Sequence, residues 1–232
     1  MIFLSPLFHE NRMADTNQGT YEAKMRQSPN YALRESSAHF DHNNAVYRTL
    51  HRLTERLDEA KIPYALIDAL AMNEHGYERM TTDIDLVMTR EGLERFRAEF
   101  VGRGYRFAFQ GARKTFRDTD TQVKIEIIAT GDYPGDGKPK PISFPNPDNA
   151  VVVDGVRVVP FEKLIELKLA SGMTAPHRLR DLSDVQDMIR TLGLPLELKN
   201  KLDESVCVEY ERLWHTVQDA NDPFDEARAS KK

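Results

Sequence analysis

Residues 62–88 read IPYALIDALAMNEHGYERMTTDIDLVM, and the order of elements in this stretch decides the fold. Pro63 stops the helix that precedes it. Tyr64–Ile67 is a short apolar run with the length of a buried strand, Ala69–Glu74 carries helix formers up to His75-Gly76, and Asp83–Met88 is a second strand that opens with two carboxylates. Residues i and i+2 of a strand project from one face, so Asp83 and Asp85 point the same way. Two like charges that close repel each other, and burial sharpens the repulsion. A divalent cation relieves it, and hard oxygen ligands suit Mg²⁺.

Upstream of this stretch, Val46, Leu50, Leu53 and Leu57 fall on one stripe of a helix. Downstream, Thr89 can cap a helix whose buried face is Leu93, Phe96, Phe100 and Val101, ended by Gly102 and Gly104. Three β-like runs follow, Tyr105–Phe109, Lys114–Arg117 and Gln122–Ile128. Residues 130–150 hold five prolines and three glycines, a loop composition. Val151–Val153 and Val156–Val159 flank Asp154-Gly155, a two-residue hairpin signal. Pro160 opens a helix to Gly172, Leu182 to Leu192 mark another, and Leu202 to Val217 a last one. The pattern predicts an α+β fold, a mixed sheet with packed helices followed by a helical C-terminal part. The expected organisation is a mobile N-terminal arm over 1–42, an αβ core over 43–160, helices over 161–218 and an acidic frayed tail over 219–232.

A third carboxylate joins the pair. In Val123-Lys124-Ile125-Glu126-Ile127-Ile128, alternation places Lys124, Glu126 and Ile128 on one face. An acid flanked by isoleucines is costly to desolvate without a partner. Two metal-bound aspartates on a neighbouring strand would supply one; pairing with Lys124, or a place on an exposed edge, is the alternative. Three carboxylates on neighbouring strands match a two-metal clamp for in-line displacement at phosphorus.

These residues, in this order, resemble the nucleotidyltransferase superfamily with the DNA polymerase β-like fold. The likeness is greatest to small bacterial members, including toxin-type enzymes of abortive-infection and toxin–antitoxin systems. That pattern runs strand, Gly-Gly or Gly-Ser turn, short helix ending in His-Gly, an Arg-x-Thr-x-Asp run and Asp-x-Asp; here His75-Gly76, Arg79, Thr81 or Thr82, Asp83 and Asp85 follow one another. The resemblance covers roughly residues 60–192. It implies that Asp83, Asp85 and Glu126 hold Mg²⁺, that Lys168 neutralises the triphosphate of an NTP, and that Asp68, Ala69, Arg79 and Thr82 line the nucleotide seat. It also implies that Asp181 and Asp184, in Arg180-Asp181-Leu182-Ser183-Asp184, orient Lys168 or Arg79. The implied activity is transfer of NMP to a hydroxyl of tRNA, protein or a small molecule. One departure stands out: Asp68-Ala69 replaces the glycine-rich turn. A carboxylate about 4 Å from a phosphate at an effective dielectric near 20 repels it by about 4 kcal/mol. The alternative reading is therefore a degenerate binding or regulatory module with weak or no turnover.

Composition sets the remaining bounds. With 32 basic against 37 acidic residues, bulk cationic coating of nucleic acid is excluded, though a local basic patch is not. Residues 95–117 carry seven basic residues against Glu99, interleaved with Phe107, Phe109 and Phe116, which could receive an RNA strand; the alternative is a solvated face over a phenylalanine core. An antitoxin or other protein partner is a further expectation of the resemblance. One cysteine, Cys207, rules out a disulfide within the chain. No run approaches the length of a membrane span. Residues 1–8 are apolar but lack a basic residue and a cleavage site, and Met13 reads like a natural start, so a cytoplasmic location is the default expectation.

Overall fold

The sheet is built around β1 (Ala65–Ile67) and β2 (Asp83–Met88), which pair antiparallel. The structure, a computed structural model, describes residues 19–219. On one side β2 pairs in parallel with β5 (Lys124–Ala129), and β5 continues antiparallel to β4 (Thr115–Asp118) and β3 (Tyr105–Phe107). On the other side β1 lies parallel to β7 (Val156–Val158), whose antiparallel neighbour is β6 (Val151–Val153). The sheet thus has seven strands in the order β3-β4-β5-β2-β1-β7-β6, and the carboxylate-bearing strand is central.

The two faces of the sheet differ for reasons visible residue by residue. Ile84 pairs with Ile125, and Ile125 with Phe116; all three are fully buried. Phe96 of α5 (Arg90–Phe100) meets Phe116 at 4.8 Å between ring centroids, so α5 covers this face. Thr89 caps α5 through its side chain, as expected. α3 (Ala45–Glu59) packs against β2 and buries Leu50, Leu53 and Leu57. Asp83, Asp85, Lys124 and Glu126 alternate with these buried residues and line a cleft on the opposite face.

In the hairpin, Asp154 and Gly155 have φ of +45° and +83°, the two consecutive left-handed residues that a type I′ turn needs. The C-terminal helices are α6 (Phe161–Thr174), α7 (Leu179–Leu192) and α8 (Glu204–Asp219), which pack on one another, while α6 also meets α4 (Asp68–Glu74). Leu202 lies before α8, at the end of a 3-10 turn over Leu196–Lys201. Residues 130–150 form a long connection with a short 3-10 turn at Pro147–Asn149. Among the described residues, no helix is long and apolar enough to cross a membrane.

The structure corrects the expectation of a mobile arm over the described part of residues 1–42. α1 (Tyr21–Gln27) and α2 (Pro29–Phe40) are both ordered against the core. Their anchors are polar, which is why apolar periodicity missed them. Buried Tyr21 donates its hydroxyl hydrogen to Glu35 at 3.2 Å, and the same carboxylate accepts from the Ala45 amide at 2.9 Å. Residues 1–18 and the expected tail from 220 onward lie outside the described residues.

Buried His39 ties α2 to the core as a neutral imidazole. Its Nε2 donates to the Arg79 carbonyl at 3.1 Å, and its Nδ1 accepts from the Asn44 side-chain amide at 3.2 Å. Burial, with neighbouring His42, holds its pKa below the usual 6.5, while the Arg79 carbonyl and Glu78 oppose this. A base depressed in the folded state contributes stability that is full above about pH 6.5 and is lost as pH falls through the folded value. Thermal unfolding at a series of pH values below 7 should therefore show a loss of stability in the wild type that is smaller in His39→Gln. Parallel pH profiles for the two chains would refute this.

Candidate functional site

The cleft has a volume of about 480 Å³. The parallel register sets Asp83 beside Lys124 and Asp85 beside Glu126 on neighbouring strands. Strand spacing of about 4.8 Å and the i, i+2 alternation then place three carboxylates and one ammonium on one small patch. Thr81 donates its hydroxyl hydrogen to Asp83 Oδ1 at 2.6 Å. Lys124 Nζ lies 2.9 Å from Asp83 Oδ2 and 3.5 Å from Glu126 Oε2. Among the described residues, Asp85 has no such partner. Burial, reinforced by Asp83, Asp68 and Glu126 and opposed by Lys124, pushes its carboxyl well above the usual carboxylate range.

A second cluster closes the side of the cleft. Lys168 of α6 is buried and donates to Asp68, to Asp181 Oδ1 at 3.1 Å and to Asp184 Oδ2 at 2.8 Å. An ammonium has three hydrogens, and each finds one carboxylate. Among the described residues, this trio is the one whose oxygens come within 4.8 Å of one another. The ammonium at its centre already fills the place that a metal ion would take. Arg79 Nη1 adds a 2.6 Å bond to Asp184 and lies 3.8 Å from Asp68, and Arg178 Nε donates to Asp181 at 2.8 Å. Burial would raise the Asp68 pKa, but Lys168 with Arg79 and Arg178 outweighs it and leaves the carboxyl below its ordinary value.

Asp68 has φ +56°, in the left-handed region that costs most residues about 1–2 kcal/mol and that Gly, Asn and Asp enter most readily. The local chain therefore demands the backbone that a glycine turn would provide, and an aspartate supplies it. Gly135 of the long connection is seated against α6: a Cβ there would come within 2.8 Å of the Ser171 carbonyl. That close approach, with Lys140 donating to the Pro134 carbonyl and to Thr174, holds the connection against the cleft as a wall.

Of the residues singled out from the sequence, Asp68, Ala69, Arg79, Thr82, Asp83, Asp85, Glu126, Lys168 and Asp181 all line this cleft. Asp184 stands behind it through Lys168 and Arg79. Thr81, rather than Thr82, holds Asp83. Lys124, read from the sequence as sharing the face of Glu126 and as its alternative partner, lines the cleft too, and it lies closer to Asp83 than to Glu126. Arg180, at the head of the motif that holds Asp181 and Asp184, also lines the cleft, and so do Met25, Pro134, Phe144 and Arg178, which the sequence had not singled out. His75 Nε2 donates to the Val159 carbonyl, 2.8 Å away, and serves to hold α4.

Most side chains of the basic segment are engaged by the chain itself, although Arg103, Arg106 and Arg113 are exposed. Arg95 donates to the Ala60 and Lys61 carbonyls, Arg97 to the Arg113 carbonyl, Arg103 to the Glu99 carbonyl and Arg106 to Gln122. Arg117 meets Glu22 and Lys114 meets Asp132. Phe116 is core, whereas Phe107 and Phe109 are exposed.

No protein-family model and no curated protein matches the chain. Among solved structures, the chain is similar to ANT(2")-Ia in its complex with adenylyl-2"-tobramycin, at 16% identity and a TM-score of 0.40, over 79% of this chain and 94% of that one. It is similar to JHP933 from Helicobacter pylori at 16% identity and a TM-score of 0.37, over 75% and 91% of the two chains. It is also similar to TM1012 from Thermotoga maritima, assigned as a nucleotidyltransferase, at 20% identity and a TM-score of 0.35, over 63% and 91%.

Proposed function

We propose that this cleft transfers a nucleoside monophosphate from an NTP to a hydroxyl acceptor. The observation that carries the reading is the register of β2 and β5, which gathers Asp83, Asp85 and Glu126 on one face of a cleft of nucleotide size. The donor set is chemically suited to a hard divalent ion: three carboxylates share one face of the sheet, Lys124 pairs with Asp83 and Glu126, and Asp85 is left repelled. Mg²⁺ held by Asp83, Asp85 and Glu126 would supply positive charge at the reacting phosphoryl group. Glu126, the most open of the three, accepts the proton of the attacking hydroxyl. The new bond joins that oxygen to the α-phosphorus, and the bond to pyrophosphate breaks in line. Arg79 Nε is buried with no partner among the described residues, and Arg178 and Arg180 border the cleft, so donors remain for phosphate oxygens. Lys168, with its three hydrogens engaged, holds the wall and keeps Asp68 in place.

The test is incubation with labelled NTPs, Mg²⁺ and separate acceptor pools of total RNA, total protein and small polyols. Label should appear in one pool. No transfer by the wild type, by Asp68→Gly or by Asp68→Asn would overturn the proposal.

The carboxylate of Asp68 in the cleft lining motivates a second reading, a binding module that holds nucleotide without turnover. Its charge is countered by Lys168 and Arg79, so the repulsion on a phosphate is smaller than for a lone carboxylate. Asp68→Asn keeps a side chain that tolerates positive φ and removes the charge. It should tighten Mg²⁺-NTP binding by about tenfold, read by calorimetry. Unchanged affinity would place Asp68 outside the phosphate path. Micromolar binding with no label transfer in any pool would favour the module.

A further inference from the structure

We infer that Lys124 is a resident counter-ion of the carboxylate patch, which must leave for a divalent ion to bind and which thereby sets the affinity of the site for metal. The inference rests on the metal site proposed for Asp83, Asp85 and Glu126, and it concerns a residue that this site does not itself require.

The geometry is specific. In the parallel register Lys124 is the direct partner of Asp83 and precedes Glu126 by two residues, so its side chain shares their face. Its ammonium reaches Asp83 Oδ2 at 2.9 Å and Glu126 Oε2 at 3.5 Å. It therefore bridges carboxylates from two strands, as an ion between them would. The contrast with Lys168 sharpens the point. Lys168 is sealed and its hydrogens are shared among three carboxylates. The Lys124 side chain is 28% exposed and borders the cleft, so it has an exit. Asp83 keeps a second bond from Thr81 and remains oriented when the ammonium departs.

Charge dictates the exchange. A divalent ion among these oxygens would sit within a few ångströms of the ammonium, and cations that close repel strongly at protein dielectric. The ion replaces one positive charge by two and reaches Asp85, which the ammonium does not. The displaced lysine then projects into the cleft beside whatever anion occupies it. Metal and substrate phosphate are thereby coupled: the anion offers the ammonium a new partner and eases the loss of the old one.

The experiment is Mn²⁺ binding to the nucleotide-free full chain, followed by electron paramagnetic resonance. Lys124→Met, which keeps the apolar stem, should bind Mn²⁺ at least about tenfold more tightly than the wild type, and Lys124→Arg should not. Equal or weaker binding by Lys124→Met, with binding still lost in Asp85→Asn, overturns the inference and leaves the metal site standing. No binding by the wild type and Lys124→Met alike overturns both. A second measurement needs no variant: the ¹⁵N signal of the Lys124 ammonium should be slowed in exchange by its carboxylates, and should lose that protection as Mg²⁺ is added. Protection that survives saturating Mg²⁺ overturns the inference.

Discussion

Replacing Asp85 by asparagine is expected to abolish nucleotidyl transfer while leaving the metal-free protein as stable as before, or more so. Asp85 stands on the central strand, with β1 on one side and β5 on the other, and its Cα partner across the sheet is Glu126. Asp83, Asp68 and Glu126 repel it and no cation among the described residues is bonded to it, so its charge opposes the fold. Asparagine keeps the shape and removes the repulsion. A gain of about 1 kcal/mol, or roughly 2–4 °C in melting temperature for a chain of this size, follows. Transfer should fall by at least about a thousandfold, equivalent to about 4 kcal/mol of transition-state stabilisation. The two readouts are label transfer and thermal unfolding without metal. Activity lost together with several degrees of stability would make Asp85 a structural residue, and the proposed chemistry would lose its centre.

Replacing Lys168 by methionine should do the reverse and strike stability first. The ammonium of Lys168 on α6 is the cation shared by Asp68 of α4 and by Asp181 and Asp184 of α7, and it is almost wholly buried. Without it, Asp184 retains Arg79 and Asp181 retains Arg178, but three carboxylates crowd a space that two peripheral guanidinium groups cannot fill. Removing one partner from a buried ionic cluster costs about 3–5 kcal/mol. For this length that lowers the melting temperature by about 6–20 °C. Adding Asp181→Asn to Lys168→Met should recover part of the loss, because the two residues share one interaction and their effects do not add. A loss below about 1 kcal/mol for Lys168→Met would equate this cluster with a solvated surface pair.

Several elements were legible from local chemistry alone. Asp83–Met88 was read as a strand because its length and its carboxylate-first pattern leave few alternatives, and β2 has those bounds. The hairpin followed from Asp154-Gly155, whose backbone does what the dipeptide favours. The alternation of Lys124, Glu126 and Ile128 against Ile125 and Ile127 also followed from period two. What escaped depends on partners far along the chain. α1 and α2 are held by Tyr21, Glu35 and His39, polar groups buried because other residues satisfy them, and apolar periodicity is blind to that. The meaning of Asp68 escaped for the same reason. Read locally it is a charge set against phosphate, but its neutralising partner Lys168 stands 100 residues downstream. Charge balance in a cleft is a property of the folded assembly of strands and helices, and only the positions of the charges are written locally.

The outer rim formed by β6 has a separate consequence. Among the described residues this strand pairs with β7 alone, and Val151 and Val152 are 40% and 65% exposed. A row of free backbone groups beside valines is a template on which another chain can add a strand. Brevity is its protection: three residues offer too few hydrogen bonds to hold a stranger. Lengthening this strand by even one or two apolar residues would turn a harmless rim into an adhesive one. The length of this strand, four places from β5 and its glutamate in the sheet order, is thus a constraint on the sequence that is separate from the cleft.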